Sequence, residues 1–229
     1  MLTYSRARAF ATATHFPQAL AMVLLATVSA LLIGTPLLGA LAVLFATAAG
    51  QATIGWTNDF HDAETDMALG RGNKPLVRGE LRREELVVPI FASATITVVL
   101  SLIAAGLIGG IAHILAVASA VAYNFWLSRT IWSWLPYAVS FGLLPVFVAQ
   151  SASPTWWPSV GVVSCSVSIG VIAHVLNAIP DVEIDKQAGL GGLAVSMGKT
   201  VSWIFVIALI GVTTPGVIAV FVEFISAMK

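Results

Sequence analysis

The chain has 229 residues, of which 58% are hydrophobic and 10% are charged, and its mean hydropathy is +0.93. The 11 Lys and Arg residues balance the 11 Asp and Glu residues, so the formal net charge is zero. A water-soluble domain carries about a quarter charged residues, and nucleic-acid-binding proteins carry clustered basic residues. The composition therefore excludes both classes and indicates an integral membrane protein with no nucleic-acid partner.

Apolar runs close to the roughly 20 residues that a helix needs to cross a hydrocarbon core predict the membrane spans. Each run lacks Lys and Arg, and only the last contains an acid, Glu223. The last run has Thr213-Thr214-Pro215 in its middle, so it is either one kinked helix or a re-entrant pair. We favour one helix, because neither half would cross the membrane alone. The seven predicted spans cover residues 16–33, 36–57, 86–105, 107–124, 131–150, 158–178 and 201–227.

The charged residues lie in alternate connections between these spans. With the N-terminus placed inside, every Lys and Arg except Lys229 falls on the cytoplasmic side, where such residues accumulate. The acids follow the same pattern, and only Glu223 lies away from this face. We therefore expect a protein of a bacterial plasma membrane, with its N-terminus and active site in the cytoplasm.

Two acidic stripes follow the second and sixth spans: NDFHDAETD at 58–66 and NAIPDVEID at 177–185. Residues four apart share one face of a helix, so the Asn and Asp residues of each stripe form one row. A shift of 119 residues overlays the stripes, and it pairs Asn58 with Asn177, Asp62 with Asp181, Glu64 with Glu183, and Asp66 with Asp185.

Carboxylates that converge in a partly desolvated site repel one another, and neither stripe contains a basic residue at contact spacing. A cation is therefore expected there. Oxygen ligands suit Mg²⁺, which takes one or two protein carboxylates and keeps water and phosphate oxygens. Basic residues in the connections can reach the same anion, so the pattern predicts a metal and diphosphate clamp. These residues are Arg71, Lys74, Arg78 and Lys186.

The stripes resemble the paired motifs of the UbiA superfamily of intramembrane prenyltransferases. The first family motif, N-D-x-x-D-x-x-x-D, is matched in full by residues 58–66, and the second, D-x-x-x-D, by Asp181 and Asp185. Similarity extends over about residues 15–200 and includes RGNKPLVRGEL, SWLPYAVSFGLLP and AGLGGLAVSMGK.

The resemblance implies an all-α, polytopic transmembrane helical bundle in two similar halves around a central cavity. We expect one domain, 1–229, with halves at about 15–125 and 131–229. Family members usually have nine spans, whereas the sequence predicts seven. Either a partner, such as a second copy of the chain, closes the cavity, or the acceptor side is reduced.

The resemblance also implies roles for individual residues, with Mg²⁺ as cofactor and a prenyl diphosphate and the lipid bilayer as partners. The implied metal ligands are Asp59, Asp62, Asp66, Asp181 and Asp185. The implied diphosphate-binding residues are Asn58, Arg71, Lys74, Arg78, Arg129, Asn177 and Lys186. The implied catalytic residues are Asp62, Asp181 and Tyr123.

Two activities remain open at this point: transfer of the prenyl group to an acceptor, and cyclisation to a terpene with release of diphosphate. A cyclase needs aromatic faces that stabilise migrating cations. Aromatic residues near the cytoplasmic span ends can line such a cavity, and they are Trp56, Tyr123, Phe125 and Trp126. We also expect His174 to point at the cavity and His113 to be a neutral packing residue.

Other classes of membrane protein fit less well. A retinal protein needs a lysine deep in its last span, and residues 201–227 contain none. A proton or ion path needs acids at membrane depth, whereas the acids here cluster at one rim. A non-catalytic lipid-binding descendant of the enzymes would have no need for intact stripes. The sequence therefore favours an enzyme.

Overall fold

The computed structural model describes residues 2–72 and 74–227, and Lys229 lies outside the described residues. Over the described residues the chain forms nine α-helices and no β-strand, which confirms the predicted all-α class. The helices are α1 (Leu2–Ala13), α2 (Phe16–Leu32), α3 (Leu37–Ala68), α4 (Val87–Ala122), α5 (Leu135–Ala152), α6 (Val160–Ala178), α7 (Val182–Gln187), α8 (Leu193–Met197) and α9 (Lys199–Ala227).

Five helical segments of the described chain are long and apolar enough to cross a membrane, and α1 with α2 makes a sixth if the pair is one bent span. The chain bends by 67° between the axes of these two helices. These findings confirm a polytopic helical membrane protein. The number of seven spans stays a prediction.

Helix α4 folds back on itself at Ala105 and Gly106. A straight helix of its 36 residues would be about 54 Å long, well beyond a hydrocarbon core of roughly 30 Å. Gly106 has φ 61° and ψ −163°, which an L-residue with a side chain rarely adopts. Ser101 Oγ consequently lies 2.7 Å from Nδ1 of His113. His113 also stacks on Phe147, as expected for a packing residue.

Small side chains let α2, α3, α4 and α5 approach closely in the apolar core. Dispersion contacts need this close packing, because lipid offers the helices an equally apolar environment. The buried residues of this cluster are Ala26, Ala30, Val43, Ala46, Ala104, Ala105, Leu144, Phe147 and Val148.

Helix α1 packs on the polar end of α3. A Cβ on Gly55 would lie 2.6 Å from Cα of Thr14, so a glycine is required where the corner between α1 and α2 crosses α3. Trp56 Nε1 donates to the carbonyl of Phe10 at 3.0 Å. Ala13 is fully buried at the same contact. These contacts place the start of α2 beside the first acidic stripe.

The second stripe crosses a helix break that the first stripe lacks. Helix α6 ends at Ala178, and Ile179–Asp181 forms a 3₁₀ turn before α7 begins. Pro180 causes the break, because it has no backbone N–H and its ring crowds the preceding turn. On its other side α6 packs against α9, where a Cβ on Gly216 would lie 3.0 Å from Sγ of Cys165.

Candidate active site

Arg71 joins the two acidic stripes. Its Nη1 donates to Oδ1 of Asp66 at 3.1 Å, and its Nη2 donates to Oδ1 of Asp185 at 2.8 Å. Burial of the guanidinium opposes its charge, but Asp185 and Asp66 outweigh this effect and raise the pKa of Arg71. The polar ends of α3 and α7 therefore meet at one end of the bundle.

Lys74 neutralises the buried part of the first stripe. Its Nζ lies 2.9 Å from Oδ1 of Asp59 and 2.8 Å from Oδ2 of Asp66, two carboxylates that are 2% and 1% exposed. It also donates to Oδ1 of Asn58 at 3.0 Å. Burial alone would lower the pKa of Lys74, but Asp59 and Asp66 raise it. The basic partners that the stripes lack are thus supplied by the loop after α3.

Asp62 is the Asp of the first stripe that is not fully buried, with 19% of its side chain exposed. The Asn58 amide donates to its Oδ2 at 3.1 Å. Arg129 Nη2 lies 3.5 Å from Oδ1 of Asp62 and donates to Thr65 Oγ1 at 2.9 Å. Because Asp62 and Arg129 are far apart in the sequence, only the fold brings them together.

A π-helical turn at the end of α4, Tyr123–Leu127, supports this row. Such turns are frequent at functional sites. Within it, Asn124 is buried and donates to the carbonyl of Ile54 at 2.9 Å and to Thr57 Oγ1 at 3.0 Å. Its carbonyl oxygen faces the Asn58 amide at 3.5 Å. The sequence indicated Tyr123-Asn124 as a family-like pair at the end of the fourth span but predicted no site role for Asn124.

Fewer basic side chains pair with the second stripe than with the first. Asp181 is half-buried and, among the described contacts, forms no ion pair. Asn177 bonds to the side chain of Tyr137. Lys186 is exposed on α7, and Arg78 pairs with Glu80 at 2.8 Å on the exposed surface. The diphosphate-binding roles of Lys186 and Arg78 stay predictions.

A cavity of about 420 Å³ begins at the row of Asn58 and Asn177 and extends into the bundle. None of its described lining residues is Lys, Arg, Asp or Glu. Polar groups at its wall include the amides of Gln18 and Gln51. Three aromatic residues line it, namely Tyr123, Tyr137 and Phe141.

Of the four aromatic residues that the sequence placed at the cavity, the structure puts only one, Tyr123, in the described cavity wall. Tyr123 lines the cavity, whereas Trp126 is 72% exposed and Phe125 packs on His61 with ring centroids 5.1 Å apart. Trp56 is engaged with α1. The other two aromatic residues of the cavity wall are Tyr137 and Phe141, from the SWLPYAVSFGLLP stretch. Span ends alone did not indicate which ring faces inwards.

His174 lies one layer behind the cavity wall. Its ring centroid is 4.8 Å from that of Tyr137 and 5.8 Å from that of Tyr123. Its Nε2 is 2.9 Å from Ser133 Oγ, which accepts a hydrogen bond from the amide of Leu193 at 3.0 Å. His174 thus packs against the two tyrosines and is not itself among the lining residues, so the expectation that it points at the cavity is wrong.

The sequence model of the UbiA prenyltransferase family matches residues 12–227. The chain belongs to this family. No curated protein matches the sequence.

Solved structures of UbiA homologues share the fold of this UbiA family member. A homologue from Archaeoglobus fulgidus bound to DMAPP and Mg²⁺ is 18% identical with a TM-score of 0.78, and the match covers 94% of this chain and 78% of the homologue. The structure of the homologue bound to GPP and Mg²⁺ is also 18% identical with a TM-score of 0.78, and the match covers 93% of this chain and 78% of the homologue. A digeranylgeranylglyceryl phosphate synthase is 17% identical with a TM-score of 0.68, and the match covers 92% of this chain and 76% of the synthase. At these identities the likeness establishes the fold alone.

The carboxylate oxygens of this UbiA family member can supply part of the coordination shell of Mg²⁺, and substrate phosphate oxygens would supply the rest. Among the described residues, no group of three or more His, Cys, Asp or Glu is placed to hold a metal ion. Mg²⁺ needs only one or two protein carboxylates when phosphate oxygens complete its shell. Asp62, Asp181 and Asp185 are the partly exposed Asp residues of the stripes. Asp185 is paired with Arg71 at 2.8 Å, Asp62 has Arg129 at 3.5 Å, and the buried Asp59 and Asp66 are paired with Lys74, so Asp181 and Asp62 are the least engaged of the five.

Proposed function

We propose that the protein is a Mg²⁺-dependent intramembrane enzyme that ionises a prenyl diphosphate and transfers the prenyl group to an acceptor. The observation that carries the proposal is Arg71, which pairs with both acidic stripes, whose first residues, Asn58 and Asn177, line the cavity. Two solved structures of a UbiA homologue from Archaeoglobus fulgidus, one bound to DMAPP and Mg²⁺ and the other to GPP and Mg²⁺, support the same substrate class.

The residues at the mouth match the charge that develops on the leaving group. Bound Mg²⁺ would neutralise part of the diphosphate charge. Arg71 and Arg129 add positive charge, and the amides of Asn58 and Asn177 can donate to phosphate oxygens. Asp62 and Asp181 would hold the metal. The carbon–oxygen bond breaks with its electron pair on diphosphate, which leaves an allylic cation.

The cavity protects that cation from water until the intended nucleophile reaches it. In our proposal the ring of Tyr123 faces the cation and stabilises it through its π electrons. The acceptor then gives an electron pair to the allylic carbon and loses a proton to the medium. No covalent intermediate with the protein is needed.

Gln51 supports transfer to an acceptor. It precedes Asn58 by seven residues on α3, so it lies on the same face about 10 Å deeper. Its half-buried amide lines the cavity and makes no described hydrogen bond. An amide at membrane depth is costly unless a partner satisfies it. A polar acceptor would supply that partner, whereas a hydrocarbon tail would not.

Terpene cyclisation is the second candidate. The observation that favours it is the group of three rings in the cavity wall, because aromatic faces stabilise a migrating cation. In that case Tyr123, Tyr137 and Phe141 would guide the tail as it folds, and loss of a proton or capture of water would end the reaction.

The two candidates separate in one assay. Purified protein in detergent is incubated with Mg²⁺ and prenyl diphosphates of several lengths, with and without aromatic and polyol acceptors. We expect diphosphate release to depend on the acceptor. A cyclic hydrocarbon or terpene alcohol formed without acceptor would instead establish the cyclase, and absence of diphosphate release under every condition would overturn both proposals.

Replacing Asp62 or Asp181 with Ala tests the clamp. We expect turnover to fall by at least about 10²-fold, the order that follows loss of one group stabilising the transition state. The melting temperature in detergent should stay close to that of the wild type, because these carboxylates are partly open. The matched controls are Glu64→Ala and Glu183→Ala, which remove exposed acids from the same stripes. Near-normal turnover in either Asp variant would contradict the clamp.

A further inference from the structure

The loop between α7 and α8, residues 188–192, lies directly on the backbone of Arg129. A Cβ on Gly191 would overlap the carbonyl oxygen of Arg129 and would lie 3.0 Å from its carbonyl carbon. The neighbouring Gly192 has φ 134°, and a Cβ there would lie 3.3 Å from the carbonyl oxygen of Ser128. Position 191 therefore requires a glycine, because any side chain would push the two backbones apart.

Hydrogen bonds hold this loop on both sides of the contact. The amide of Leu190 donates to the carbonyl of Asp185, the last residue of the second stripe, at 2.8 Å. The amide of Leu193 donates to Oγ of Ser133 at 3.0 Å, and Ser133 is fully buried. The loop thus cannot leave the backbone of Arg129 without losing one of these bonds.

The side chain of Arg129 reaches the first stripe from this position. Its Nη2 donates to Thr65 Oγ1 at 2.9 Å and lies 3.5 Å from Oδ1 of Asp62. Arg129 follows a π-helical turn and precedes a 3₁₀ turn, so no regular helix fixes its backbone. Its side chain is 42% exposed and has many rotamers. The contact with Gly191 supplies a constraint that the segment around Arg129 lacks.

We propose that Gly191 is a positioning residue, which acts through the backbone of Arg129 and keeps the guanidinium beside Asp62, where the diphosphate leaves. This inference rests on the proposed function, because Arg129 must contribute positive charge to the leaving group. Such charge is most effective when it is held in place before the reaction. The second stripe is then linked to the first in two ways: directly through Arg71, and through the loop that joins Asp185 to Arg129.

The test compares Gly191→Ala in two backgrounds. The full chain in detergent is given Mg²⁺ and a prenyl diphosphate, under the acceptor condition at which the wild type releases diphosphate fastest. We expect Gly191→Ala to lower kcat/KM by about 10-fold to 10²-fold, because the added methyl group displaces Arg129. In an Arg129→Gln background, which lacks the guanidinium, Gly191→Ala should leave kcat/KM unchanged. The melting temperature should fall in both backgrounds, since the close backbone contact is lost in both.

Two further variants keep the test decisive. Gly198→Ala is the matched control: Gly198 has φ 77°, so alanine is strained there, but a Cβ would meet no atom within 4 Å. It should lower the melting temperature and keep the wild-type kcat/KM. Ser133→Ala serves in case Gly191→Ala does not fold, because it releases the amide of Leu193 without adding volume. Its loss of kcat/KM should likewise disappear in the Arg129→Gln background.

The outcomes separate the inference from the function on which it depends. A folded Gly191→Ala variant with the wild-type kcat/KM, or one whose loss is equally large in the Arg129→Gln background, would overturn the inference alone and leave Gly191 with a packing role. A wild type that releases no diphosphate under any acceptor condition would overturn the proposed function, and the inference with it.

Discussion

Lys74 shows how a single side chain can hold an acidic motif together. Two almost fully buried carboxylates, Asp59 and Asp66, converge on its ammonium group. Burial of either carboxylate without a partner would cost several kcal/mol, so this ion pair network is needed for the fold as well as for any role in substrate binding. Asp62, by contrast, is partly exposed, and its basic neighbour Arg129 is 3.5 Å away.

Substituting Lys74 with Met should therefore destabilise the protein. We expect a loss of about 3–5 kcal/mol, because Asp59 loses its nearest cationic group and Asp66 is left with Arg71 alone. The measurement is thermal or denaturant unfolding in detergent. Lys186→Met is the control, since Lys186 is exposed, and it should leave the unfolding transition unchanged. An unchanged transition in Lys74→Met would show that Asp59 and Asp66 find another partner.

The pH dependence of this contribution has a defined sign. The pKa of Lys74 is raised in the folded state by Asp59 and Asp66. The stabilisation is fully present below the ordinary lysine pKa of about 10.4 and is lost as pH rises through the higher folded value. The stability difference between wild type and Lys74→Met should thus stay constant from pH 7 to 9 and shrink only above about pH 10.4. A difference that shrinks below pH 9 would contradict this assignment.

The sequence predicted which acidic and basic residues belong to the candidate site, but it did not predict how they pair. The spacing of the stripes predicted one face for Asn58, Asp62 and Asp66, and of these three residues Asn58 lines the cavity. Lys74 was predicted as a diphosphate ligand, whereas its described contacts are with the first stripe. Such pairing depends on the path of an irregular loop, which has no periodicity to read.

At the scale of helices, the sequence located the apolar segments and the turn at Gly106. It placed the end of the second span at residue 57, but α3 continues to Ala68, because the polar stripe remains helical beyond the apolar run. It also gave no sign of α1, which contains no long apolar run and packs through its contacts with α3. Pro180 could have indicated the break in the second stripe.

Gly106 is the residue on which the turn in α4 depends. Gly106→Ala should cost about 1–3 kcal/mol of stability, because alanine is strained at this positive φ. Gly211→Ala is the control: Gly211 is helical in α9, and a Cβ there meets no atom within 4 Å. It should be neutral or stabilising by up to about 1 kcal/mol. Equal melting temperatures for the two variants in detergent would contradict the strain.

For the molecule as a whole, the acidic stripes meet Arg71, Lys74 and Arg129 at one end of the bundle. The distribution of Lys and Arg predicts that the charged end is cytoplasmic. Closure of the cavity by a second copy also stays a prediction, since packing between copies leaves no periodic signal in an apolar sequence.

Orientation is accessible to cysteine labelling in a Cys165→Ser background. Glu80→Cys lies beside the loop that carries Lys74, and Thr155→Cys lies at the opposite end of α5. A membrane-impermeant maleimide should label position 155 in right-side-out vesicles and position 80 only in inverted ones. The reverse pattern would place the stripes outside.

The contact between Cys165 and Gly216 has a practical consequence. Cys165 is the single thiol of the chain, it is half-buried, and it sits where α9 rests on α6. Its reaction rate with a membrane-soluble thiol reagent therefore records how often α9 separates from α6. The native thiol can thus report the transient separation of these two helices, and no engineered label is required.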